Sequence, residues 1–102
     1  MSHRLQQLLA ALEESPRDWR ALMELGSIHH AHGDDVTAAR CLLAAAESQA
    51  LDGFPLKAVA IAKQAAKLDP RNVEVARVLA EWHEKLDLRA EAAEWRLKLP
   101  YG

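Results

Sequence analysis

The sequence predicts an all-α fold in which about six antiparallel helices form an array. Apolar residues recur at intervals of three and four, as at Leu5, Leu8, Leu9 and Leu12, and this spacing is typical of one helix face. No stretch alternates apolar and polar residues as a half-buried strand does. Glycine, proline and short polar clusters interrupt the pattern at nearly even intervals, which favours helices of similar length.

The interruptions divide the chain into helical segments that belong to a single domain, 1–102, because a chain of 102 residues has the usual size of one. The predicted segments are roughly 2–14, 18–32, 35–51, 55–68, 71–86 and 88–99.

The first breaks have residues suited to ending one helix and beginning the next. Gly33 can adopt the left-handed conformation that ends the second helix, and Asp34 or Asp35 can cap the third. Gly53 ends the third helix in the same way, and Pro55 suits the first turn of the fourth.

The later breaks follow the same chemistry. Pro70 disfavours helix for Asp69 and so ends the fourth segment, and Asn72 can cap the fifth. The weakest break is 86–89, where Asp87 is the one good capping residue.

The chain also contains an internal repeat. Two sets of residues share spacings of four, three and five: Arg4, Leu8, Ala11 and Pro16, and Ala58, Ala62, Ala65 and Pro70. Each set ends in a Pro-Arg pair and is followed by a helix that carries Leu-Gly at 25–26 or Leu-Ala at 79–80. A histidine, His29 or His83, then follows three residues later.

This pattern resembles the tetratricopeptide repeat (TPR) family, in which Leu-Gly and an aromatic residue mark the first helix of each unit. The resemblance covers nearly the whole chain and is that of a short bacterial TPR-like protein. It implies a right-handed solenoid whose first helices line a concave groove for partners. Histidine replaces the usual tyrosine, and Arg96 occupies a bulky position on the last helix. The best-matching positions are Leu22, Leu25, Gly26, His29, Gly33, Asp34, Ala38, Leu42 and Ala45.

The repeat spacing departs from the family in an informative way. The two Pro-Arg pairs lie 54 residues apart, whereas one TPR unit has about 34. One extra helix is required, so segment 35–51 must be the partner of both the second and the fourth. Such a helix should be apolar nearly all round. Only a narrow polar strip at Arg40, Glu47 and Ser48 interrupts its apolar surface.

A cluster of histidines and aspartates in ELGSIHHAHGDD, residues 24–35, raises the question of a metal site. His29 and His32 share a helix face, whereas His30 points about 100° away. Zinc-binding helices usually offer ligands four apart, but the residue four after His29 is Gly33. We expect no metal and no other cofactor. The alternative, a metal-dependent enzyme, would hold stoichiometric zinc in a chelator-free preparation.

Charge, cysteine content and hydropathy limit the partners. The formal net charge is −2, and no basic patch marks a nucleic-acid partner. The apolar run at 41–46 is too short to span a bilayer, so we expect no membrane partner. Cys41 is the single cysteine, which excludes an intrachain disulfide and agrees with a cytoplasmic location. We expect its thiol to be buried as a small hydrophobe.

The sequence indicates a non-enzymatic interaction module, because it contains no phosphate-binding loop, nucleophile elbow or catalytic carboxylate pair. We expect an adaptor or scaffold that binds a peptide or helix of a partner protein in its groove. The predicted groove residues are Arg20, Met23, Ser27, His30, Glu74, Arg77, Glu81 and Glu84. The alternative is that these are solvated polar positions that bind no ligand.

A second hypothesis is a homo-oligomer that associates through its apolar terminal helices, because a repeat cannot bury its faces alone. The last segment carries the candidate interface residues Trp95, Leu99 and Tyr101.

Overall fold

The computed structural model describes residues 2–100, which form six α-helices and no strand. The helices are α1 (His3–Glu14), α2 (Trp19–Ala31), α3 (Asp35–Leu51), α4 (Pro55–Leu68), α5 (Val73–Lys85) and α6 (Arg89–Arg96). Their boundaries agree with the predicted segments to within a few residues, and the predicted all-α array is confirmed.

Short polar side chains cap most of the helix starts. The side-chain oxygens of Asp18, Asp34 and Asn72 each accept a hydrogen bond from the backbone N–H three residues later, over 3.2, 3.0 and 3.1 Å. The caps predicted for α3 and α5 are therefore confirmed. Pro55 occupies the first turn of α4, where its missing N–H leaves no hydrogen bond unmade.

Three residues in the left-handed region end helices. Gly33 and Gly53 have φ of 80° and 88°, as predicted for the ends of α2 and α3. Asp87, with φ of 60°, ends α5 in the same way. The expectation that Asp87 caps α6 is therefore wrong. Leu88 holds the capping position without a side-chain hydrogen bond, because the Asp87 backbone is used to end the preceding helix.

Each helix packs against its neighbours in the sequence, from α1 on α2 through α5 on α6. The Cα atoms extend over 44 × 29 × 17 Å. Because packed helix axes lie about 8–10 Å apart, a thickness of this order accommodates two layers. Helices α2, α4 and α6 form one layer, because residues of α2 and α4 line one cavity together and residues of α4 and α6 line another. Helices α3 and α5 form the other layer, since charged side chains of α5 lie close enough to Glu47 of α3 to shift its pKa.

Helix α3 is the centre of the array, since it packs against both α2 and α4. Its apolar surface is buried on both flanks, which confirms the prediction of a shared helix. Arg40 and Glu47 are exposed, as expected of a polar strip. Ser48 is not part of that strip: it is 2% exposed, and its hydroxyl donates a 2.6 Å hydrogen bond to the Arg17 carbonyl. This bond joins α3 to the α1–α2 turn.

Small side chains allow α3 to approach its neighbours closely. Ala58, Ala62 and Ala65 of α4 are fully buried. Across from α3 on α2, a β-carbon added to Gly26 would lie 3.4 Å from the Ala38 carbonyl oxygen. The two helices thus cross closely at Gly26, with room for a methyl group and little more.

The two repeat histidines occupy helix interfaces to different degrees. His83 is 1% exposed, and its Nδ1–H donates a 2.7 Å hydrogen bond to the Leu79 carbonyl oxygen. His29 is half-buried. The three tryptophans pack against the core cluster, and each is half-buried: Trp19, Trp82 and Trp95.

Candidate functional site

A cavity of about 270 Å³ lies between α2 and α4, with Leu42 of α3 among its lining residues. Three of the predicted groove residues, Met23, Ser27 and His30, line it together because spacings of four and three place them on one face of α2. Gly26, which lies between them on α2, also lines the cavity. Helix α4 contributes Gln64, Lys67 and Leu68.

His30 is oriented at this cavity by a neighbouring carboxylate. Its Nδ1–H donates to Asp35 Oδ1 over 2.7 Å, and both side chains are partly exposed. The carboxylate can only accept, so the hydrogen is on Nδ1 and Nε2 is left for a ligand. The imidazole can therefore meet a partner with a defined ring orientation.

A second cavity, of about 420 Å³, lies between α4 and α6. Lys67 lines both cavities, so they form one continuous surface across the even-numbered layer. We call this surface the α2–α4–α6 groove. In its α4–α6 half, the Lys98 ammonium lies 4.1 Å from the centroid of the Trp95 ring, a cation–π contact. The complete lining is Lys63, Ala66, Lys67, Pro70, Trp95 and Lys98.

The predicted residues of α5 lie outside this groove and form an ion-pair network of their own. Arg77 pairs with Glu74 and, over 3.0 Å, with Glu81. The hydrogen bonds from Arg77 lower the pKa of Glu74, and those same bonds raise the pKa of Arg77. Glu84 pairs instead with Arg96 of α6.

This α5 network lies beside α3. The Glu47 side chain on α3 is exposed at the surface, but neighbouring atoms remove part of its water, and this partial desolvation is the main cause that raises its pKa. The charge of Glu74 adds to the rise, while Arg77 opposes it. The effect requires Glu47 to lie near α5, within the odd-numbered layer. Seven of the eight predicted groove residues are thus divided between two surfaces, three on α2 and four on α5. The eighth, Arg20, lines neither cavity of the groove, and its guanidinium lies 5.1 Å from the centroid of the Trp19 ring.

The sequence interpretation missed the lysines that line this groove, Lys63 and Lys67 on α4 and Lys98 in the turn after α6. It placed α2 and α5 on one groove because both match the first helix of a TPR unit. Helices α3 and α4 lie between α2 and α5 in the chain. Because consecutive helices alternate between the two layers, α2 and α5 belong to different layers. The 54-residue interval between the Pro-Arg pairs already contained this signal.

The histidine cluster is occupied by local contacts. His32 Nδ1–H donates to the Ile28 carbonyl oxygen over 2.8 Å, and His30 is held by Asp35. Among residues 2–100, no three histidine, cysteine or acidic side chains are grouped so that they could hold a metal ion. None of the helices in this part of the chain has the length and apolarity that a membrane crossing requires.

The three residues predicted for an oligomer interface differ in what the structure describes of them. Trp95 and Leu99 are half-buried, and Trp95 faces the α4–α6 cavity. Leu97, which the sequence interpretation did not select, is 82% exposed. Tyr101 lies outside the described residues, so its predicted role stays a prediction.

Comparison with solved structures supports the architecture. The chain is similar to MamA, a TPR-containing protein, with a TM-score of 0.59 and 14% sequence identity over 89% of this chain. The fold is TPR-like. The matched region spans 61% of the MamA chain. No family model and no curated protein sequence matches the chain.

Proposed function

We propose that this chain is a non-enzymatic interaction module that binds a segment of a partner protein along the α2–α4–α6 groove. The observation that carries the proposal is Lys67, which joins the two cavities into one surface. Pockets with an apolar floor and a few polar groups suit side chains of an extended or helical segment. Here Met23, Leu42 and Leu68 provide apolar surface, and His30 and Gln64 provide polar groups.

The TPR-like fold supports this proposal because it typically serves as a protein-interaction scaffold. An elongated array also exposes more surface per residue than a sphere, and its parallel helices leave grooves wide enough for a peptide.

A peptide-display selection on the immobilised protein tests the proposal. We expect selected peptides to lose binding to a Met23→Glu variant, because a carboxylate would enter the apolar floor of the α2–α4 cavity. Arg77→Ala is the matched comparison on the α5 surface and should leave binding unchanged. Loss of binding by Arg77→Ala alone would place the site on α5. A selection that yields no peptides above the bare matrix would refute the proposal.

A second candidate function is self-association through α6. It is favoured by Leu97, a large apolar side chain that directly follows that helix and is 82% exposed. Burial of such side chains between two copies would remove apolar surface from water. Sedimentation velocity should then show a dimer or larger species that Leu97→Glu converts to monomer. A strict monomer at high protein concentration would refute this candidate, and Met23→Glu should not affect it.

A further inference from the structure

We propose that the α4–α6 half of the groove selects an acidic partner segment that places one apolar side chain against Trp95. This inference rests on the proposed function and adds the chemistry of the partner. The segment's carboxylates would pair with Lys63, Lys67 and Lys98, which surround the cavity.

The charge of the α4–α6 cavity is unbalanced. Three lysines line this cavity, and none of its lining residues is acidic. Every ion pair among residues 2–100 takes its cation from arginine or histidine, so no lysine of that region is neutralised by a carboxylate. The three ammonium groups are therefore available to an anionic ligand.

The cavity on the other side of α6 differs in charge. A neighbouring cavity of about 320 Å³ lies between α5 and α6. Its lining combines acidic residues with arginines, and Arg96 is paired with Glu84 while Arg89 pairs with Asp87. Charge is therefore balanced on one side of α6 and positive on the other. The formal net charge of the whole chain is −2, so the lysine cluster is a local feature.

The floor of the α4–α6 cavity is apolar and is formed around Trp95. The Trp95 ring is half-buried and packs against the core cluster, which holds it in place. Lys98 covers the ring from 4.1 Å, while Ala66 and Pro70 provide small apolar surfaces beside it. A cavity of about 420 Å³ is in the size range that accommodates a short segment with one large side chain.

A peptide is favoured over a nucleic acid because the lysines are few and the floor is apolar. Nucleic-acid binding needs many phosphate contacts along an extended basic surface. Here three lysines and a single tryptophan line one cavity, an arrangement that suits a segment with acidic side chains around one apolar side chain.

The test combines the display selection with a triple variant, Lys63→Gln, Lys67→Gln and Lys98→Gln. We expect selected peptides to be rich in aspartate and glutamate around one leucine or aromatic residue, and this enrichment to disappear with the triple variant. Lys57→Gln with Lys85→Gln provides the matched control, because these lysines lie outside the cavity.

Fluorescence anisotropy measures how much the three lysines contribute to the affinity for an acidic peptide. The probe is a labelled peptide with a leucine flanked by glutamates, amidated at its C-terminus so that all negative charge comes from side chains. Exposed ion pairs of this kind change affinity by about two- to five-fold each. We expect the triple variant to weaken binding by about ten-fold or more, replacement of the glutamates by glutamine to do the same, and added salt to weaken binding.

The outcomes separate the two proposals. Peptides that bind without acidic enrichment, or that bind the triple variant equally well, would overturn this inference and leave the proposed function standing. A selection without any binders would overturn both. A single-stranded oligonucleotide that binds as tightly as the acidic peptide and depends on the same lysines would replace the peptide assignment with nucleic acid.

Discussion

Gly26 lies where α2 crosses α3, and its substitution measures how closely the two helices pack. A β-carbon at this position would lie 3.4 Å from the Ala38 carbonyl oxygen, 3.4 Å from Cys41 Cβ and 3.5 Å from Leu42 Cδ2. These are ordinary van der Waals distances, so alanine fits without moving α3. Alanine also favours helix over glycine by about 0.5–1 kcal/mol. We expect Gly26→Ala to leave the free energy of unfolding unchanged or to raise it by up to about 1 kcal/mol.

Gly26→Leu should have the opposite effect. The leucine γ-carbon would extend about 1.5 Å beyond the β-carbon, into space already filled by α3. Overpacking of this kind costs about 1–3 kcal/mol, and a backbone oxygen at the contact places it near the upper limit. The better helix propensity of leucine offsets about 0.8 kcal/mol. The net loss is therefore about 2 kcal/mol, or about 30-fold in the unfolding equilibrium.

Urea unfolding followed by far-ultraviolet circular dichroism measures both variants. With a slope of about 1–2 kcal/mol per molar urea, Gly26→Leu should lower the midpoint by about 1–2 M. Ser27→Leu is the control. Ser27 is exposed, so the urea midpoint of this variant should stay close to that of the wild type. A wild-type midpoint for Gly26→Leu would show that α2 and α3 do not pack closely here, and a Gly26→Ala variant as unstable as Gly26→Leu would show that even a methyl group does not fit.

Three further predictions concern other parts of the chain. The hydrogen bond from Arg4 lowers the pKa of Glu24, so this link between α1 and α2 is present above the ordinary glutamate pKa and is lost as pH falls through the lowered value. NMR should show α1 loosening on acidification, and Glu24→Gln should loosen it at neutral pH as well. Burial raises the pKa of the Cys41 thiol, so a thiol reagent should label it slowly in the folded protein and rapidly in urea; equal rates would contradict its placement. Asp87→Gly should raise the free energy of unfolding by up to about 1 kcal/mol, because glycine tolerates the left-handed backbone at φ of 60°, and a lower urea midpoint would argue against this.

Helix identity and helix ends could be predicted because they depend on neighbouring residues. The spacing of apolar residues, the caps at Asp34 and Asn72, and the glycines at 33 and 53 all act within one or two turns. Even the central position of α3 followed from its apolar surface together with the interval between repeats. Asp87 was misassigned because two local roles, ending α5 and capping α6, competed for one residue.

The groove could not be read from local pattern, because it depends on which helices share a layer. The match to TPR units paired α2 with α5, while the alternation of layers pairs α2 with α4 and α6. Pairing of charges had the same limit: Glu81 pairs with Arg77, and only the folded arrangement leaves Lys63, Lys67 and Lys98 without a carboxylate partner among residues 2–100. The sequence by itself determined six helices and their order, since backbone hydrogen bonds and caps are local. Tertiary structure decided which side chains meet across them, since that depends on packing between residues far apart in the chain.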